Sequence, residues 1–343
     1  MFKFNAGAQR PATHDARLAA ANDLVTRTLA QNGITTGAMP SGVTMPDLTR
    51  WTGATARPGA VAHGMTARRF TAAAGARDYL LHVPEAAKDG ATGLIVMLHG
   101  CTQTPADFAA GTAMNALADR HGFVVLYPGQ SRGDNAQSCW NWFSRGDQLR
   151  DKGEPAILAG MTRQIAADHG IGADRTFVAG LSAGAAMAVI LGQTHPDVFA
   201  AVGAHSGLPY SAARDVPSAF AAMGGQGADV APAGPGLPTI VFHGTADSTV
   251  APVNGTRIAT HALHGQSQTI EAEATGMTGG RGWRLRTATD MTGRPLLEHW
   301  TVEGLGHAWS GGQPGGNYTD AKGPDASAEM VRFFLDLAGK ADQ

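Results

Sequence analysis

The stretch Arg175-Thr176-Phe177-Val178-Ala179-Gly180-Leu181-Ser182-Ala183-Gly184-Ala185-Ala186-Met187-Ala188-Val189-Ile190-Leu191 decides the fold of this chain. Residues 175–179 read as a short buried strand and residues 185–191 as a helix. Between them lies Gly180-Leu181-Ser182-Ala183-Gly184. A chain that leaves a strand and enters a helix within five residues turns so tightly that side chains two positions either side of Ser182 would clash, and both positions are Gly. The helix then starts directly beneath the hydroxyl, where its free N–H groups favour negative charge. This is the context that a G-x-S-x-G nucleophile elbow needs.

In a chain with 46 glycines the pentapeptide alone is weak evidence, and its surroundings carry the weight. Asp247 stands in His243-Gly244-Thr245-Ala246-Asp247, just past the apolar run Thr239-Ile240-Val241-Phe242. His307 stands in Gly304-Leu305-Gly306-His307-Ala308-Trp309, just past Leu297-Glu298-His299-Trp300-Thr301-Val302. The chain order Ser, Asp, His is that of the α/β-hydrolase fold, in which a mostly parallel central sheet carries helices on both faces. Both partners follow predicted strands, where open α/β sheets place their functional loops.

A serine hydroxyl is a poor nucleophile at neutral pH and needs a base within hydrogen-bond reach. Histidine titrates in the right range, and a carboxylate on its other nitrogen fixes the tautomer. Ser182 is the expected nucleophile, His307 the base and then acid, and Asp247 the orienting carboxylate. The tetrahedral intermediate needs at least two N–H donors. One is expected from the backbone of Ala183 and the other from that of Cys101, in the loop Leu98-His99-Gly100-Cys101-Thr102-Gln103.

Hydrophobic residues make up 43% and charged residues 16% of the 343, with a formal net charge of −2. That leaves material for a sizeable core and argues against a nucleic-acid binder, which needs a basic face. No apolar run approaches a membrane span. No secretory signal is read at the N-terminus, because Asn and Asp break the apolar stretch at 18–25. The two cysteines, Cys101 and Cys139, are too few for a disulfide scaffold but enough for one bridge. His261 and His264, three apart, lack an H-E-x-x-H pattern and a ligand cluster, so no metal is expected.

Residues 1–62 read as an N-terminal extension: one amphipathic helix over 16–32, stopped by Gly33, then a linker or strap rich in Gly, Pro, Thr and Met. Residues 63–340 read as the catalytic domain. Strands are expected at 78–83, 93–98, 123–127, 175–179, 198–204 and 239–242, and a hairpin at 284–302 that turns over 290–294. Helices are expected at 105–121, 155–169, 185–191, 251–264 and 326–338. Residues 207–237 read as a long loop on the active-site face, able to wall a cleft.

Five segments occur in order: His99-Gly100-Cys101-Thr102-Gln103, Cys139-Trp140-Asn141-Trp142-Phe143, Gly180-Leu181-Ser182-Ala183-Gly184, His205-Ser206-Gly207, and Gly306-His307-Ala308-Trp309-Ser310-Gly311-Gly312. Together they resemble the polyhydroxybutyrate depolymerase family of esterases, which also contains feruloyl and acetylxylan esterases. The resemblance spans roughly residues 65–338. It implies a secreted-type carboxylesterase without a cofactor, with Ser182, Asp247 and His307 at the catalytic positions and Cys101 and Cys139 matching a family disulfide. The family and the cysteine pair point to an extracellular or periplasmic setting, whereas the unread signal leaves the cytoplasm open. The family's polymer depolymerases carry a signal peptide and a polymer-binding domain, neither of which is read here. Oligomers, amorphous polymer or small plant-wall esters are therefore the expected substrates.

Trp140, Trp142 and Trp309 flank these segments and are candidates for lining the acyl or alcohol pocket, with core packing as the other reading. The leading expectation is a serine esterase acting on poly(3-hydroxybutyrate)-type polymers or oligomers. A feruloyl or acetylxylan esterase is the alternative, and a catalytically silent protein that binds a polymer surface or partner is the alternative outside the enzymes.

Overall fold

Continuous apolar runs form the middle of the sheet. In a computed structural model of the chain, residues 60–61, 64–232 and 234–341 are described, all within the unit Ala56–Gln343. The expected helix at 16–32 and the strap up to residue 59 lie outside the described residues. Strands β4 (Leu94–Leu98), β5 (Val124–Pro128), β6 (Thr176–Leu181), β7 (Ala201–His205) and β8 (Thr239–Gly244) are buried at every position. Strands covered on both faces need no polar alternation.

Alternate residues of these strands feed two cores. Leu94, Val96, Leu98, Val124, Leu126, Val178 and Val241 face one layer, packed by helices α3 (Gly153–Asp168), α4 (Ala183–Thr194) and α6 (Val253–Ala262). Ile95, Met97, Val125, Tyr127, Phe177, Ala179, Ile240 and Phe242 face the other, packed by α1 (Pro105–Thr112), α2 (Met114–His121) and α7 (Ala326–Ala341). The period of two along each strand is what splits one apolar run between two helical layers.

The remaining strands extend this parallel centre at both edges: β1 (Ala60–Val61), β2 (Met65–Ala72), β3 (Gly75–His82), β9 (Ile270–Thr278), β10 (Arg281–Thr289) and β11 (Pro295–Val302). The order is β1-β2-β3-β5-β4-β6-β7-β8-β11-β10-β9. Pairing is parallel from β5 to β11 and antiparallel at both ends. Two short strands, β12 (Trp309–Ser310) and β13 (Thr319–Asp320), pair separately. Among the described residues no helix is long and apolar enough to cross a membrane.

Several elements depart from the expectations. The single helix over 105–121 is two helices, because Ala113 turns left-handed at φ 50°. The carbonyls that would continue the ladder are taken elsewhere, Gly111 O by Gln313 N at 2.8 Å and Thr112 O by Ser327 Oγ at 2.6 Å. The sheet begins at Ala60, inside the segment read as linker. Strand β2 was not foreseen, nor was β9, although the pair Gly279-Gly280 at φ 56° and 78° is the two-residue turn that joins β9 to β10. The 207–237 segment contains helix α5 (Val216–Met223), started by an Asp215–Ser218 capping box.

Candidate active site

Strand β6 ends at Leu181 and α4 starts at Ala183, so Ser182 is the whole turn. Its backbone sits at φ 58° and ψ −119°, a conformation rare for a residue with a side chain. The turn closes against β4. A Cβ on Gly184 would run into the Leu98 carbonyl oxygen, and one on Gly180 would lie 2.5 Å from the Gly184 carbonyl carbon. The Ser182 N–H donates to His205 O at 2.9 Å, which hangs the turn on the end of β7.

Asp247 follows β8 and His307 follows β11, so both stand at the same end of the parallel strands as Ser182. His307 Nδ1 lies 2.8 Å from Asp247 Oδ2. The other oxygen, Oδ1, accepts from Thr249 N at 3.0 Å and Val250 N at 2.8 Å. Burial raises the Asp247 carboxyl, but hydrogen bonds from His243 and His307, the charge of His307 and the Val250 N–H more than reverse this. They hold it well below the usual carboxylate range. An ionised Asp247 keeps the proton of His307 on Nδ1 and leaves Nε2 as an acceptor. Among the described residues the Ser182 hydroxyl makes no hydrogen bond, to His307 or to any other group.

His243 and His99, which end strands beside the site, bond backbone. His243 Nε2 donates to Val250 O at 2.9 Å and lies 3.5 Å from Asp247 Oδ2. His99 Nε2 accepts from Gln130 N at 3.1 Å, so Nδ1 carries the proton and donates to Gly100 O at 2.8 Å. Burial pushes His99 down to about 4.

The loop after β4 reaches over Ser182: a Cβ on Gly100 would lie 3.6 Å from that of Ser182. Its N–H groups are mostly engaged. Gly100 N donates to Gln103 Oε1 at 2.9 Å, Thr102 N to Gln137 O at 2.7 Å and Gln103 N to Gly100 O at 3.3 Å. Among the described residues, the N–H groups of Cys101 and Ala183 donate to no protein group. Unused N–H donors, one next to Ser182 in the chain and one in the loop above it, are the kind of group a developing oxyanion requires. A disulfide joins Cys101 to Cys139.

All three tryptophans lie in the core. Trp140 is 0% exposed with Nε1 on His99 O at 3.1 Å, and Trp309 is 1% exposed with Nε1 on Ser327 Oγ at 3.0 Å. Trp142 is also buried and meets Phe143 edge-on. Their burial fits the core-packing reading.

Two residues at the site had no role assigned from the sequence, although His205 stands in one of the quoted segments. His205 is fully buried, stacked between Phe242 and Trp309. Its Nε2 accepts from Ser310 N at 3.0 Å and its Nδ1 faces Ser206 Oγ at 3.2 Å. Burial, with the charges of His243 and His307, pushes it down to about 3. Tyr318 stands edge-on to His307 with ring centres 6.5 Å apart, and its hydroxyl lies 3.2 Å from Thr102 Oγ1. Placed 11 residues beyond His307 at φ 54°, it carries no local sequence signal.

Comparisons with known proteins give the chain a family and a fold. The family model "Esterase PHB depolymerase" matches residues 77–281. The chain is 37% identical over 242 residues to the poly(3-hydroxyalkanoate) depolymerase C of Paucimonas lemoignei, covering 66% of this chain and 57% of that one. It is 29% identical over 255 residues to the poly(3-hydroxybutyrate) depolymerase of Ralstonia pickettii, covering 68% and 51%. The chain therefore spans little more than half the length of these relatives. Among solved structures, an acetyl xylan esterase from Aspergillus awamori superimposes with a TM-score of 0.59 at 18% identity, over 78% of this chain and 99% of that one, a likeness of fold.

Proposed function

The chain belongs to the esterase PHB depolymerase family, and from that premise we propose that it is a serine carboxylesterase acting on poly(3-hydroxybutyrate)-type polymers or oligomers. The observation that carries the reading is the 2.8 Å pairing of His307 Nδ1 with Asp247 Oδ2, at the same sheet end as the strained Ser182 turn.

His307 Nε2 takes the hydroxyl proton as Ser182 Oγ bonds to the ester carbonyl carbon. The carbonyl oxygen becomes an oxyanion held by the N–H groups of Cys101 and Ala183. Removing one such donor typically costs roughly 3–4 kcal/mol of transition-state stabilisation. Collapse of this intermediate breaks the bond to the alcohol oxygen, which leaves with the proton from His307. The acyl group stays on Ser182 until water, deprotonated by His307, repeats the sequence and releases the hydroxy acid. The Cys101–Cys139 disulfide supports an oxidising setting, extracellular or periplasmic.

The test is release of 3-hydroxybutyrate from amorphous poly(3-hydroxybutyrate), with Ser182→Ala as the blank and methyl ferulate and acetylated xylan in parallel. Release that vanishes in the variant supports the proposal. Turnover of the plant-wall esters alone keeps the mechanism and replaces the substrate. Activity that survives Ser182→Ala rejects the mechanism.

A further inference from the structure

We propose that Glu154 is a positioning residue for the oxyanion loop: its buried carboxylate gathers the Gln130 and Asn141 amides and so holds the segment to which Cys101 is tied. The inference rests on the reading of Cys101 N–H as an oxyanion donor.

Glu154 stands in the first turn of α3, 3% exposed, and takes no part in the steps above. Four donors converge on it. Asn141 N donates to Oε2 at 2.7 Å, while Asn141 Nδ2 at 2.9 Å, Arg77 Nη2 at 3.2 Å and Gln130 Nε2 all donate to Oε1. An ionised carboxylate offers acceptor sites to all four without adding a donor of its own. Burying a charge is costly and often no more stable than an apolar replacement, so stability alone does not account for it.

The segment it gathers holds the loop above Ser182 at four points. Gln130 N donates to His99 Nε2 at 3.1 Å, Trp140 Nε1 to His99 O at 3.1 Å, and Thr102 N to Gln137 O at 2.7 Å. The fourth point is the Cys101–Cys139 bond, and Gln130 Nε2 also reaches Cys139 O at 2.9 Å. His99, Cys101 and Thr102 thus each have a partner within 130–140, and Glu154 bonds Gln130 at the start of that stretch and Asn141 just past its end. A shift of the segment carries the Cys101 N–H with it, and displacement of a catalytic donor by about 1 Å can cost on the order of a hundredfold in rate.

The charged groups around Glu154 come from three elements. Arg77 belongs to β3 and also pairs with Asp134 at 3.1 Å. Asp147 lies in the turn Arg145–Gln148, and its Oδ1 accepts the Glu154 N–H at 2.8 Å. Burial and the charge of Asp147 raise the Glu154 carboxyl to about 7, against the pull of Asn141, Arg77 and Gln130. Protonation places an O–H among groups that are themselves donors and breaks at least one bond of the clamp. The ionised form is the one that holds the loop.

The test compares wild type with Glu154→Gln on p-nitrophenyl butyrate from pH 5.5 to 8.5, together with inhibition by a trifluoromethyl ketone, which forms an oxyanion on the serine. At pH 8.5 the variant is expected to lose at least tenfold in kcat with KM within twofold, and to bind the ketone more weakly by the same factor. The ratio of wild-type to variant kcat should shrink towards one at pH 5.5, where the wild-type carboxyl is protonated. An unchanged kcat at pH 8.5, a loss confined to KM, or a ratio constant across the range overturns the proposal. If Glu154→Gln shows no cooperative melting, Gln130→Met is read the same way at pH 8.5: a kcat loss at constant KM supports the clamp, and wild-type kcat overturns it. Wild-type activity that survives Ser182→Ala removes the esterase reading itself, and this inference with it.

Discussion

His205 accepts the Ser310 N–H through its ring at 3.0 Å while its own carbonyl accepts the Ser182 N–H at 2.9 Å. One buried residue thus ties the Ser182 turn to the segment that carries His307. Its ring works only while neutral, because protonated Nε2 could not accept.

His99 and His205 are both fully buried and pushed down, to about 4 and about 3. For groups whose folded pKa lies below the unfolded one, stability is present above the unfolded pKa near 6.5 and is lost as pH falls towards the folded value. Each should withdraw about 2 kcal/mol by pH 5. Thermal melts from pH 7.5 to 4.5 should show Tm dropping below pH 6.5. His205→Gln, which lacks that titration, should show a shallower drop.

Asp247→Asn is expected to keep the fold and lower kcat by about 10³–10⁴, because an amide facing His307 Nδ1 favours the wrong tautomer. Steady-state kinetics on a soluble ester checks this. A loss under tenfold would mean that another acceptor orients His307.

Cys139→Ser opens a loop closed over a sequence separation of 38. Chain entropy puts its contribution at about 4 kcal/mol. Denaturant unfolding should show that loss, with a fall in kcat as the Cys101 N–H loosens.

Tyr318→Phe keeps the ring beside His307 and removes the hydroxyl facing Thr102. One net hydrogen bond is worth roughly 0.5–1.5 kcal/mol, about a two- to tenfold effect on kcat/KM. Tyr318→Ala, which also removes the ring, should lose more than that.

The parallel centre of the fold was legible because its strands are unbroken apolar runs and its turn needs two glycines at fixed offsets from a serine. Both signals are local. The edge strands were not legible for the opposite reason: β9 is exposed along nearly its whole length, so burial imposed no pattern on Ile270–Thr278. The break at Ala113 was invisible because its cause lies 200 residues away, in Gln313 and Ser327. At the candidate site, Ser182, Asp247 and His307 each follow a strand that the sequence shows, so they could be proposed from local signals. Tyr318 and the Glu154 clamp could not, since their partners meet only in three dimensions. Trp140, Trp142 and Trp309 stand next to the site segments in the sequence, and burial of such large rings is not readable from that proximity.

The backbone of Ser182 has a further consequence. A side chain held at φ 58° and ψ −119° costs of order 1–3 kcal/mol, and glycine alone escapes most of that. On the proposed esterase role, this position is held below its own stability optimum in exchange for reactivity. Ser182→Gly should be inert yet melt at a higher temperature than the equally inert Ser182→Ala, and calorimetry of the two would measure what the fold gives up to hold a hydroxyl there.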